Sequence, residues 1–175
     1  MIKHIWSVLC RKTVIDNETN NISLFDVFEQ LGVNASISEK KDTQINVPIN
    51  FELVSLWVKT NGGKTLRASI EVEVIDPEAK RLKSFTQNLE FSTNIKRMRS
   101  RLRIMGLSLT TSGDYIFRVK IKEENQKEYI TAAELPLEVG VGGSGNDVPD
   151  IGEVEAGQIG GLHHLGGGQA GAAGA

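Results

Sequence analysis

From Tyr115 to Lys122 the chain alternates with a period of two. Tyr115, Phe117, Val119 and Ile121 fall on one face, and Arg118, Lys120 and Lys122 on the other. A helix would scatter these residues around its circumference, whereas an extended chain sends successive side chains to opposite sides. The stretch is therefore a strand with one buried and one solvated face. Thr-Thr-Ser-Gly precedes it, a turn signal in which Gly113 can take a positive φ. Leu107 and Leu109 stand upstream at strand spacing. Leu109, Gly113 and Tyr115 together have the spacing of a tyrosine corner, in which a buried ring returns its hydroxyl to the backbone it has just left. The corner predicts that one strand ends in one sheet and the next begins in the sheet facing it.

The rest of the chain repeats this pattern. Ile2–Ile15 is a mostly apolar run closed by Asp16-Asn17-Glu18-Thr19-Asn20-Asn21, which predicts a strand and a hairpin loop. Residues 22–33 fit either helical spacing or a buried strand; the strand is favoured because the segment is short and its neighbours are strands. Residues 35–46 read as an exposed loop. Residues 50–60 read as a strand, Asn61-Gly62 as a tight hairpin turn, and residues 65–75 as the returning strand with Leu66, Ala68, Ile70, Val72 and Val74 inward. Asp76-Pro77-Glu78 turns the chain again, because proline cannot continue a ladder. Strands over 82–91, 95–109 and 129–141 complete the count. About eight strands with no helix predict an all-β, antiparallel Greek-key sandwich of immunoglobulin-like type.

Composition divides the chain at about residue 141. Thirteen of the 18 glycines lie between Gly140 and Gly174, with few bulky apolar residues among them. Such a segment buries too little area to offset its ordering entropy. The expectation is a sandwich domain over 1–141 and a disordered glycine-rich acidic tail over 142–175. Charge divides likewise. All 20 Lys and Arg lie at or before Lys127, and the seven acidic residues from Glu128 onward have no basic residue among them. That asymmetry suits a tail resting on its own domain as well as it suits an outside partner. Ile151, Val154, Ile159, Leu162 and Leu165 form either a short linear motif or sparse linker residues. No apolar run reaches the ~20 residues of a membrane-spanning helix. The N-terminal stretch is a poor signal peptide, so a cytoplasmic location is expected.

The most unusual stretch is Lys96 to Arg103. Arg97, Arg99, Arg101 and Arg103 alternate with Met98, Ser100, Leu102 and Ile104. On a strand, alternate side chains stand roughly 6.6 Å apart, within the ~8 Å Debye length at physiological salt, so four guanidiniums repel unless something compensates. A cross-strand ladder with acids such as Glu71, Glu73 or Glu90 would compensate. An anionic partner would do the same, since the guanidinium fork suits oxyanions. The ladder is the commoner arrangement.

Other chemistry has little footing. Asp16, Asp76 and Asp114 fall in predicted loops, as calcium ligands do, but turn formation explains each of them. His163-His164 is too small a cluster to specify a metal. His4 reads as a structural histidine in an apolar strand. Cys10, at i+6 on the same face, lies about 20 Å from it, too far for a thiolate–imidazole pair. As the only cysteine it cannot form an internal disulfide. Trp6 and Trp57 could form a sugar platform, but in apolar strands they read as core. No cofactor is implied.

Ile5-Trp6-Ser7-Val8-Leu9-Cys10, Ile22-Ser23-Leu24-Phe25-Asp26-Val27, Gly113-Asp114-Tyr115-Ile116-Phe117 and Leu135-Pro136-Leu137-Glu138-Val139 resemble a family of uncharacterised bacterial β-sandwich proteins. The resemblance covers 3–139 and implies an immunoglobulin-like fold; it carries no activity and no functional residue. The sequence therefore predicts a non-enzymatic interaction module whose partner is another protein or a second copy. Binding of an anion or nucleic acid through Lys96, Arg97, Arg99, Arg101 and Arg103 is the alternative, with no membrane involved.

Overall fold

A computed structural model describes residues 1–33, 45–60 and 63–141. The Asn61-Gly62 turn, most of the 35–46 loop and the whole 142–175 tail lie outside the described residues. Among the described residues nine strands are formed: β1 (Ile2–Ile15), β2 (Ile22–Val27), β3 (Gln30–Val33), β4 (Ile45–Lys59), β5 (Leu66–Ile75), β6 (Arg81–Phe91), β7 (Arg97–Leu109), β8 (Gly113–Glu123) and β9 (Ile130–Val141). They make two sheets, one ordered β2-β1-β4-β7 and the other β3-β9-β8-β5-β6. The described residues are all-β, and no helix among them is long and apolar enough to cross a membrane.

The inner faces supply the core. Phe51, Leu53, Trp57 and Ile104 from the first sheet meet Ile70, Val72, Phe91, Tyr115, Phe117, Val119 and Leu137 from the second. Phe51 stacks edge-on against Phe117 across the interface, with centroids 5.8 Å apart. The alternation in β8 and β5 places its apolar residues here, as the pattern required.

Three expectations need correction. Residues 22–33 are not one strand. The chain leaves the first sheet after Val27 and enters the second at Gln30, so the segment serves both sheets and shows no single periodicity. Nor are the sheets wholly antiparallel. The chain switches sheets without a reversing turn, and β3 runs parallel to β9, with Leu31 opposite Val139. Finally, β4 begins at Ile45, earlier than predicted. Pro48 is accommodated because the ladder with β7 shifts register between Val47 and Asn50, and β1 pairs with β4 only as far as Glu52.

β7 contains a phase change that positions the arginines. Met98, Ser100, Leu102 and Ile104 face inward at even numbers, yet Leu107 and Leu109 are buried at odd ones. Gly106 makes the switch: its φ of +78° falls where the ladder with β4 shifts register, and beyond it the strand regains the core in the opposite phase. Without it, the arginines and these two leucines would compete for the same face.

At the corner, Tyr115 is fully buried. Its hydroxyl donates to the Thr111 carbonyl at 2.8 Å and accepts from the Thr110 and Thr111 amides at 2.8 and 3.2 Å. The buried carboxylate of Asp76 accepts from the Glu78 and Lys80 amides and from the Thr110 hydroxyl, tying the β5–β6 turn to the corner. Gly113 has a φ of +131°, and a Cβ there would stand 3.1 Å from Pro77. Leu109 is buried on the strand entering the corner.

Candidate binding face

β7 is an edge strand, hydrogen-bonded only to β4. Register therefore determines what shares its outer face. Arg97 stands opposite Val58 and then Lys3; Arg99 opposite Leu56 and then Trp6; Arg101 opposite Val54 and then Val8; Arg103 opposite Glu52 and then Cys10. Four rows three strands wide result, with the guanidiniums along the free edge.

The two ends of this face differ. At one end stands Glu52, only 6% exposed. Its carboxylate accepts from the Thr13 amide at 3.1 Å and the Thr13 hydroxyl at 2.5 Å. It lies 3.5 Å from an Arg103 nitrogen and 3.9 Å from Arg101. Arg101 also donates to the Thr13 hydroxyl at 3.2 Å. At the other end, no carboxylate among the described residues lies within ion-pair distance of Lys96, Arg97 or Arg99. Arg99 donates instead to the side-chain oxygen of Asn20, at 3.4 Å, in the β1–β2 loop. The floor between these cations is Leu56, Val58 and Trp6, all partly exposed.

The acids expected to ladder with the arginines are elsewhere. Glu71 and Glu73 lie on β5 and Glu90 on β6, all in the other sheet. There Lys120 bonds Glu73 at 2.7 Å and Glu71 at 3.3 Å, Arg81 bonds Glu73 at 3.1 Å, and Arg118 bonds Glu134 at 2.6 Å. Arg67 bonds Glu90 at 3.0 Å. The basic stripe read from β8 is thus largely neutralised by its neighbours, on the face opposite the arginines. Hydrogen bonding from Lys120, against the cost of burial, holds the Glu73 carboxyl below its ordinary range. Burial opposes the charge on Lys120, but the bonds to Glu73 and Glu71 outweigh it and raise its pKa.

The remaining candidates have structural roles. The β-bulge between His4 and Trp6 reverses the phase of β1, so His4 faces inward against Trp57 and Cys10 faces outward beside Glu52. They do not share a face, contrary to the expectation from i+6 spacing. His4 lies 2.7 Å from the Ser7 hydroxyl, which bonds Ser55. Burial holds its pKa down, opposed by a bond to the Trp6 backbone. Cys10 is fully buried, and burial followed by the Glu52 charge pushes its thiol up. Trp57 is core, its indole N–H donating to Ser100 at 2.9 Å, whereas Trp6 is only partly covered. Asp16 accepts from the Glu18 and Thr19 amides of its own turn. Among the described residues no group of three or more His, Cys, Asp or Glu is placed to hold a metal. A cleft of about 460 Å³ opens on the far side of the sandwich, lined by Ser7, Phe28, Glu29, Asp114, Glu134 and Glu138. Its charge disfavours anions.

Glu52 was not foreseen. Its signal was present, since it shares the phase of Val54, Leu56 and Val58, but its meaning depends on β4 pairing with β7, which sets Glu52 opposite Arg103, 51 residues further along the chain.

The fold and this face define an all-β protein of two packed sheets with one neutralised outer surface and one partly uncompensated cationic one. No family model matches the chain, and no curated protein matches it. The resemblance to a bacterial β-sandwich family therefore rests on the four quoted segments alone.

Proposed function

We propose that this chain is a non-enzymatic, cytoplasmic binding module of immunoglobulin-like type whose β7 face takes an acidic surface of another protein. The observation that carries the reading is the contrast between the two outer faces. Arg118 and Lys120 are engaged by carboxylates, while Lys96, Arg97 and Arg99 have none among the described residues. Leu56, Val58 and Trp6 between them give an apolar centre with a charged rim, the usual anatomy of an interface. The tyrosine corner supports the immunoglobulin-like assignment.

Charges on an edge strand also prevent pairing with other sheets. The double variant Arg97→Glu, Arg99→Glu separates the two roles, because it keeps the edge charged but reverses its sign. A pull-down from the native host at roughly 0.05 and 0.3 M salt is the test. The reading expects one dominant protein retained by the wild type at low salt and lost from the variant. Identical capture by both overturns it. A second reading, single-stranded nucleic acid, is favoured by one observation: Trp6 stands in register with Arg99, supplying the aromatic that base stacking uses. Retention of nucleic acid in place of protein would select it.

A further inference from the structure

On the side of the sandwich away from β7, both sheets stop short. β4 pairs with β1 from Ile2 to Cys10, but β2 covers the other edge of β1 only from Cys10 to Ile15. In the second sheet β8 pairs with β9 from Ile130 to Val139, but β3 covers the other edge of β9 only from Glu138 to Val141. Among the described residues, no strand covers that edge of β1 over 2–9 or of β9 over 130–137. The cause is the crossover at 28–29, which carries the chain from one sheet to the other. It is tied down by the Phe28 amide donating to the Leu9 carbonyl at 3.2 Å and the Glu138 amide donating to the Glu29 carbonyl at 2.9 Å. The Ile2 amide donates to Glu123, at the end of β8, so the two bare edges start at the same end and run side by side to the crossover. The cleft of about 460 Å³ lies where they reach it.

The two edges are not equivalent. Backbone groups point alternately to one side of a strand and the other. The Leu9 carbonyl points to Phe28 and away from β4, so Ser7, two residues back, turns its N–H and C=O the same way. The 2.7 Å contact between the Ser7 and Ser55 hydroxyls agrees, because opposed side chains approach most closely where the backbone groups point outward. Ser7 thus offers a donor and an acceptor, and Leu9 a donor, to the side that no described strand covers. On β9 the Glu138 amide points to Glu29, so Pro136 faces the bare side and has no N–H to give. Proline closes β9 to an added strand and leaves β1 open. The cleft walls are apolar at Leu9, Phe28, Leu135 and Pro136. Of the acids lining it, Glu134 is engaged by Arg118, whereas Glu29, Asp114 and Glu138 have no cation within ion-pair distance among the described residues. Asp114 and Glu138 even stand opposite one another in the ladder.

We infer that the open edge of β1 takes an extended segment of another protein, rich in aliphatic and basic residues, as an added strand in line with β2. Backbone bonds to Ser7 and Leu9 supply the pairing, and the side chains supply the selection. Aliphatic residues rest on Phe28 and Leu135. Lysine or arginine lays its apolar stem along the same wall and carries its charge out to Glu29, Asp114 and Glu138. The site is separate from the β7 face and opposite in sign, so it selects a partner of the opposite charge.

The full chain, labelled for NMR, is titrated with a capped peptide of alternating lysine and valine, and amide hydrogen exchange is read with and without it. In the free chain the Ser7 and Leu9 amides should exchange faster than those of Val8 and Cys10, which point to β4. Saturating peptide should shift the signals of 6–9 and 28–30 and slow exchange at Ser7 and Leu9 by at least about tenfold. The same peptide with its backbone amides methylated, or with glutamate in place of lysine, should bind at least about fivefold more weakly. Glu29→Gln with Glu138→Gln should weaken binding at least about threefold while leaving the circular dichroism and the protection of Val8 unchanged. Shifts confined to the acids, with Ser7 and Leu9 exchanging as before, would mean attraction by charge without strand addition and overturn the inference. Equal binding of the glutamate peptide, or no shift at 6–9 with millimolar peptide, overturns it as well. So does protection of Ser7 and Leu9 that grows with protein concentration in the absence of peptide, which would assign the edge to a second copy of the chain.

Discussion

Replacing Glu52 by Gln tests whether one buried carboxylate anchors the arginine strand. The side chain keeps its shape and loses its charge, so little of the effect comes from packing. Glu52 accepts two hydrogen bonds from Thr13 while almost completely excluded from water. Bonds to a charged group contribute about 1.5–3 kcal/mol each, against about 1 kcal/mol for neutral ones. Converting two charge-assisted bonds to neutral ones therefore costs about 1–4 kcal/mol. The amide must also turn its NH2 toward Arg101 or Arg103, donor against donor. Those arginine side chains are 45% and 65% exposed, so their ion pairs add only about 0–1 kcal/mol. The expected loss is about 1–5 kcal/mol in urea denaturation. Because the dominant part is buried, raising salt should leave most of it in place. A double-mutant cycle with Thr13→Val should give a coupling of about 1–2 kcal/mol. A loss under about 0.5 kcal/mol, or one that vanishes at high salt, would mean that Glu52 only offsets surface charge and does not anchor the strand.

Other outcomes follow from the corner and the opposite face. Tyr115→Phe removes a hydroxyl with three backbone partners and should cost about 1.5–3 kcal/mol by chemical denaturation with the fold retained by circular dichroism. Gly113→Ala should cost at least about 1 kcal/mol in the same assay, since it meets both a positive φ and the Pro77 ring. The Glu73 carboxyl titrates lower in the folded chain than in the unfolded one. Its contribution is thus present above the unfolded pKa of about 4.3 and lost as pH falls through the folded value. Lys120 shifts upward, so its contribution is present below about 10.4 and lost as pH rises through the folded value. Glu73→Gln should flatten the acid limb of a thermal stability profile, and an unchanged limb would assign acid sensitivity to other groups.

The individual strands of this protein follow from local physics in its sequence. Alternation in β5 and β8 decides which side chains enter the core, because an extended chain has only two faces. Proline at 77 and glycine at 113 stop or turn the chain for reasons contained in single residues. The hydroxyl of Tyr115 had to find partners close in sequence, so the corner was legible as well. Pairing was not. Residues 22–33 divide between sheets because both edges needed a strand, and no local periodicity encodes that requirement. Gly106 and the bulge at His4 reverse the phase of their strands, which parity counted along the sequence carries straight through. The arginines of β7 could be counted in advance, but their counter-charge could not. Glu71, Glu73 and Glu90 went to the other sheet, and Glu52, buried beneath the β1–β2 hairpin, neutralises one end of the row while Arg97 and Arg99 remain without a carboxylate among the described residues. Charge along a strand is a property of sequence; compensation across strands belongs to the register, which only the tertiary structure sets.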